Sequence, residues 1–348
     1  MRYAFSAAGL VAVLVIAGVV LPNLLASHRD AARSASVVFK APARTWVPPV
    51  IASMPTPAVL AGAEGGDRVN CAASPHTCGY PDATNTGVPV SADLLSVPSQ
   101  ISSGPGWDYD PRGWVEVYGN GATLSDLYIP YNLDISASNV TIDHVDVVET
   151  GNSMGISLRH TNNVTIENSD ISSPYNTGPN RLQVAIKDVY GDSANTTIEG
   201  NNIWNAGTGI QISEGTVENN YVHNMGYYTG DHVNGIVSDA GQAALTITHN
   251  TVFNPLGQTD CIALFEDFGP QFDVVISDNL LAGGGYTVYG GANPGRWIPS
   301  DIVITGNRFA RIYDPLGGYY GPYAAVDTGV SGDVWSGNVW DNTLQLIF

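Results

Sequence analysis

Positive charge is what this chain has least of. Of 348 residues only 13 are Lys or Arg, against 32 Asp or Glu, for a net charge of −19. Five of the basic residues and one acid occur up to Thr45, so the remainder holds 8 basic against 31 acidic residues, a net −23. Such a surface repels nucleic acid and anionic lipid and excludes both as partners. An anionic polysaccharide would also be repelled unless a metal ion bridged it. Cysteine is scarce too: Cys71 and Cys78 lie close together in a stretch of turn formers, and Cys261 stands alone in an apolar run. Neither CxxC nor CxH spacing occurs, so a cysteine metal site is not expected. The first two cysteines suit a local disulfide in an oxidising compartment, and Cys261 suits a core position. Helical periodicity and hairpin signals every 8–12 residues are both missing, which argues against helix bundles and β-sandwiches. A compact DxDxDG calcium loop and a phosphate-binding Lys-Ser/Thr loop are likewise missing.

What is there is a phrase that returns. Ile198-Glu199-Gly200-Asn201, Val217-Glu218-Asn219-Asn220, Ile247-Thr248-His249-Asn250, Ile276-Ser277-Asp278-Asn279, Ile304-Thr305-Gly306-Asn307 and Trp335-Ser336-Gly337-Asn338 place Asn three residues after an apolar side chain. Another apolar residue follows two places later. Weaker copies begin at Ile142 and Ile166, and successive markers lie 24, 32, 19, 30, 29, 28 and 31 residues apart. A period of this size with strand-like content means stacked coils, each burying its apolar side chains against its neighbours. The phrase reads as strand, sharp turn, strand, with Asn suited to the turn because it tolerates the left-handed conformation and its amide can bond to the next coil. A third short strand follows each phrase: Gly155–Leu158, Ala185–Asp188, Gly209–Ile212, Gly235–Ser238, Cys261–Leu264 and Tyr286–Tyr289. The expected fold is all-β, a single-domain parallel β-helix of three-stranded coils, eight to nine in number.

The expected organisation has four parts. Residues 1–26 are a signal peptide or signal anchor. Residues 27–69 are a Pro/Ala-rich linker, 70–113 an N-terminal cap, and 114–348 the β-helix. The protein is then secreted or anchored at the cell surface, touches a membrane only through an uncleaved N-terminal segment, and is expected to be a monomer.

The repeats, the Asn ladder and the apolar stacks resemble the right-handed parallel β-helix of the pectin-lyase-like superfamily, over roughly residues 70–348. The segments "YPDATNTGVP", "DHVNGI", "HNTVFNP" and "NLLAGGGYTVYGG" more narrowly resemble a group of secreted actinobacterial β-helix proteins. The wider resemblance implies that the Asn turn separates the second and third sheets. It also implies that substrates lie across the outer face of the first sheet, walled by loops. Here those loops are 172–183, 224–234 and 254–260.

On the first-sheet strands Ile156, Ile186, Ile210, Ile236 and Ile262 are expected to point inward, and Ser157, Lys187, Gln211, Val237 and Ala263 outward. Arg159, Arg181 and Lys187, three of the eight cations beyond Thr45, fall on this side in consecutive coils. Tyr175, Gln211, Tyr227, Tyr228, Asp260, Phe265 and Glu266 join Arg159 as candidate substrate contacts. Candidate catalytic residues are Lys187 or Arg181 as base, His232 held by Asp231, and Asp239 as one of a carboxyl pair. The superfamily's glycosidases typically carry Asp before Gly in this sheet. Asn234-Gly235 stands here instead, and Asn cannot act as the general acid. The residues name no cofactor; calcium would be the one to suit the acidic side chains, with Asp188 and Asp267 as donors. Two functions follow: a carbohydrate-active enzyme (polysaccharide lyase, epimerase or glycosidase) or a non-catalytic glycan-binding or surface structural module. The partner in both is a polysaccharide or cell-wall glycan.

Overall fold

The computed structural model describes residues 70–241, 244–292 and 297–348. The expected signal or anchor helix and the linker lie outside the described residues. Within them the chain is a right-handed parallel β-helix of about nine turns with no α-helix.

The first sheet has eleven strands; the first two pair antiparallel, and the remaining nine run parallel. These nine are Trp114–Val117, Asn132–Ile135, Met154–Leu158, Leu182–Asp188, Ala206–Gln211, Asn234–Ser238, Asp260–Leu264, Tyr286–Gly290 and Gly321–Ala324. Second-sheet strands such as Val164–Glu167 and Leu245–Thr248 alternate buried and half-buried residues. That is the period-two pattern of a strand with one face in a core. Third-sheet strands such as Thr251–Asn254 and Leu280–Gly283 are buried at every position. Inside the coils Ile156, Ile186, Ile210, Ile236 and Ile262 are fully buried, in one hydrophobic core running the length of the helix.

The recurring Asn side chains form a continuous ladder. Asn201, Asn220, Asn250, Asn279, Asn307 and Asn338 are all 0% exposed. Each Nδ2 donates to the Oδ1 of the next Asn at 2.9–3.0 Å. The same Oδ1 atoms accept the backbone N–H of the preceding coil's Asn. At the N-terminal end Ser169 takes over: its N–H reaches Asn201 Oδ1, and its hydroxyl accepts the Val145 N–H at 3.0 Å. The left-handed backbone falls one residue earlier than expected. Gly200, Asn219, His249, Asp278, Gly306 and Gly337 have φ between 52° and 67°. The ladder Asn is thus chosen for its buried amide, and the tolerance of positive φ is required of the residue before it.

Both ends are closed. Trp107 is buried in the antiparallel strand Trp107–Asp110 that covers the first coil, and Ile347 folds back so that its carbonyl accepts Trp335 Nε1 at 2.8 Å. The segment expected to cap the N-terminal end does more than that. Cys71 and Cys78 are joined by a disulfide. The backbone N–H groups of Cys71 and Ala72 bond to the Asp341 carboxylate in the last coil at 3.3 and 3.0 Å. The chain then packs over Ala310, Ala282, Leu280 and Phe253, stacks Tyr80 on His249 at 5.2 Å, and reaches Asp170 and Gly200 through Gly87 and Val88. Residues 70–88 are a strap along the outside of the third sheet, from the last coil to the early ones. This is why third-sheet strands are apolar on both faces.

Candidate functional site

With the third sheet strapped over, the outer face of the first sheet carries the concentration of candidate groups. Register places Ser157, Lys187, Gln211, Val237, Ala263 and Tyr289 in one file across six coils. Only Lys187, Gln211 and Tyr289 keep part of their surface exposed; Ser157, Val237 and Ala263 are 1%, 3% and 0% exposed. The chain after the Asp260–Leu264 strand folds back over this region. Phe268 N–H bonds to the Asp239 carbonyl, and Gln271 Nε2 bonds to the carbonyls of Ser238 and Phe265.

The three clustered cations have separate fates. Arg159 Nε donates to Asp134 Oδ1 at 2.6 Å, and its guanidinium also reaches the Tyr190 hydroxyl. Arg181 is buried. Its Nε donates to Asp231 Oδ2 at 2.6 Å, its other nitrogens bond Asp231 Oδ1 and Asn152 Oδ1, and the Tyr228 ring lies 5.8 Å away. A guanidinium fully occupied in this way is a strut between loops, so the expectation of Arg181 as a base is corrected. Lys187 alone has no ion-pair partner within 4 Å among the described residues. Its charge favours ionisation of Asp239.

Asp239 accepts a hydrogen bond from Gln211 Nε2. Burial raises its carboxyl above the ordinary aspartate value, the charge of Asp267 raises it further, and Gln211 and Lys187 pull the other way. Asp260 shares a register position with Asn234 and is 0% exposed. Neither of its oxygens has a hydrogen-bond partner among the described residues. Burial holds this carboxyl well above the usual range, and the Asp239 charge adds to the effect. The Gly235 N–H lowers it somewhat without forming a well-made hydrogen bond. Asn234 bonds through Nδ2 to Thr208 Oγ1 at 3.3 Å and to the His232 carbonyl at 3.4 Å.

Other expectations resolve differently. Asp231 is committed to Arg181 and to the Tyr228 N–H, so it does not orient the exposed His232. The expected His–Asp base pair is not assembled. Tyr227 is half-buried and joins the loops through its N–H to the Asn176 carbonyl and a bridge to Thr177. Tyr175 is 47% exposed on the same loop, and its N–H bonds to Ser173 Oγ at 3.2 Å. Asp188 is buried and accepts bonds from the N–H and hydroxyl of Ser193, both at 3.0 Å, so it closes a turn. Glu266 is buried and Asp267 exposed. Among the described residues no three His, Cys, Asp or Glu side chains converge to hold a metal ion.

An aromatic run was not anticipated. Phe265 meets Tyr289 at 5.5 Å, Tyr289 meets Tyr286 at 5.5 Å, Tyr286 meets Tyr320 at 5.6 Å, and Tyr320 meets Tyr319 at 4.8 Å between ring centres. Its sequence signal was "YTVY" and "GGYYG", where the tyrosines are read as strand and loop formers unless register is known.

A protein-family model described as "Right handed beta helix region" matches residues 131–269 of this chain. That span includes the Lys187–Gln211–Asp239 cluster and Phe265 but ends before the tyrosines. No curated protein and no solved structure gives a match.

Proposed function

We propose that this protein is a carbohydrate-active β-helix that binds a glycan along the outer face of its first sheet and cleaves it by acid–base chemistry centred on Asp239. The observation that carries this reading is the meeting, on one face, of a run of tilted and edge-to-face aromatic rings with a polar cluster of Lys187, Gln211 and Asp239. Aromatic rings suit the apolar faces of sugars, and a carboxyl raised by burial holds its proton to higher pH than an ordinary aspartate, which suits it to act as a general acid. Gln211 fixes the orientation of that carboxyl, and Lys187 limits how far its affinity for protons rises. The apolar stretch at 1–26 and the Cys71–Cys78 disulfide support an exported protein in an oxidising compartment.

The second reading is a glycan-binding module without catalysis. The burial of Asp260 favours it, because two-carboxylate hydrolysis needs both groups at the scissile bond and Asp260 is 0% exposed. The purified full-length chain, incubated with a panel of polysaccharides, separates the two. New reducing ends identify a hydrolase, and absorbance from unsaturated uronates identifies a lyase. Binding without product supports the module, and neither binding nor product contradicts both readings. If the enzyme reading holds, Asp239→Asn lowers turnover by about 10²–10⁴-fold while leaving glycan binding in place.

A further inference from the structure

The charges and the aromatic run together narrow the ligand. We infer that the first-sheet face takes a neutral glycan, seated on the run Phe265–Tyr289–Tyr286–Tyr320–Tyr319, rather than an anionic polyuronate. The inference rests on the carbohydrate reading above.

Consider first what a polyuronate would need. It presents a carboxylate on every sugar and so requires a row of unneutralised cations or a bridging metal ion. Six cations lie among the described residues: Arg112, Arg159, Arg181, Lys187, Arg308 and Arg311. Arg159 and Arg181 are paired with Asp134 and Asp231. Arg112 pairs with Asp110, Arg308 with Asp341, and Arg311 stacks 3.6 Å above the Trp340 ring. Arg311 keeps its charge but follows the third-sheet strand Arg308–Ala310; on the first-sheet face Lys187 is left, and it already faces Asp239. Beside it the exposed Asp267 acts on Asp239 as a like charge and raises its carboxyl. The local field repels carboxylates, and no metal-binding cluster among the described residues reverses it.

The aromatic run has the features a neutral sugar chain needs. Its rings come from two successive coils and the loop that leads into the strand of the next, so they advance along the helix axis. Tyr319 and Tyr320 are 59% and 63% exposed, so their rings are open to a ligand. Gly257 abuts Tyr319, where a Cβ would sit 3.3 Å from ring atoms and press on the ring. Apolar ring faces with hydroxyls at their edges complement sugars that carry C–H groups on one face and hydroxyls at the rim.

The test is a titration of the full-length chain with soluble neutral glycans (a β-glucan, a mannan, hydroxyethyl cellulose) and with polygalacturonate and alginate, at low and high salt. A neutral glycan is expected to bind with an affinity that salt does not change. Tyr320→Ala and Tyr286→Ala are each expected to weaken it about tenfold, the scale of one lost ring contact. Tyr320→Phe should retain binding, because the ring face and not the hydroxyl makes the contact. Tyr320 is exposed, so its removal leaves the fold intact, and circular dichroism verifies this. Preferential binding of a polyuronate, weakened by salt, overturns the inference and leaves the carbohydrate reading standing. Binding of neither class overturns both. Self-association that Tyr320→Ala abolishes shows instead that a second copy covers the run, which also overturns the inference.

Discussion

The side chain of a single ladder residue, Asn250, makes five hydrogen-bond contacts: the two hydrogens of its Nδ2 are shared among Val217 O, Thr248 O and Asn279 Oδ1, and its Oδ1 accepts from the N–H and Nδ2 of Asn220. Asn250→Ala strands the Asn220 N–H and the Val217 carbonyl in a dry interior, while the Asn220 Nδ2 keeps the Ile198 and Glu218 carbonyls. Each unsatisfied group costs about 1–3 kcal/mol, so a loss of about 3 kcal/mol is expected, read from the urea midpoint of unfolding. An unchanged midpoint would mean that the ladder does not hold the coils. The recurring Asn was legible because a fixed spacing survives in one dimension. Which residue takes positive φ was not, because Gly, Asn, His and Asp share that position and only backbone geometry separates them from the ladder Asn.

Asp260 carries a second prediction at this scale. Its folded carboxyl is held above the unfolded value of about 4. Below that value both states are protonated and its contribution to stability is fully present. As pH rises past it, the unfolded state ionises while the folded state does not, and stability falls until the raised folded value is reached. Asp260→Asn removes this slope. The variant is expected to match the parent near pH 4 and to exceed it in stability at pH 7–8. Equal stability at both pH values would mean that the carboxyl is solvated.

Among the elements, the strap of residues 70–88 changes the account most. Its contacts lie with residues from about 170 to 341, and no local pattern in a stretch of Pro, Gly, Asn and Thr announces partners so far along the chain. A trace was present in the third-sheet strands, where Phe253, Leu280, Ala282 and Ala310 give apolar residues on the face that would otherwise meet water. Asp341 anchors the far end by accepting the Cys71 and Ala72 N–H groups and pairing with Arg308 at 2.8 Å. Asp341→Asn weakens that anchor. Faster amide exchange is expected over residues 71–80 and the third-sheet strands beneath, with the first sheet unchanged. Uniform exchange across all three sheets would show that the strap and the coils open as one unit.

The helix as a whole divides its three faces. The second sheet presents half-buried polar residues, the third is covered by the strap, and the first is walled by loops that Arg181 and Asp231 hold together. The repeat made this architecture readable, because a solenoid writes its fold as a period. The site was readable only in part. Register alone could place Lys187 beside Gln211 and put Asp239 within reach, whereas the pairing of Arg159 with Asp134 and of Arg181 with Asp231 joins residues 25 and 50 apart across loops of unequal length. The tyrosines of the aromatic run meet through the same cross-coil geometry, and single-strand patterns do not contain it.

The central claim is that a glycan lies on the first-sheet face. Hydroxyl-radical footprinting of the full-length chain, with and without a saturating bound glycan, tests it directly. The account predicts protection of Phe265, Tyr286, Tyr289 and Tyr320, with Tyr80 and Tyr221 on the strapped side unaffected. Protection confined to the strapped side, or spread evenly over both faces, would contradict it.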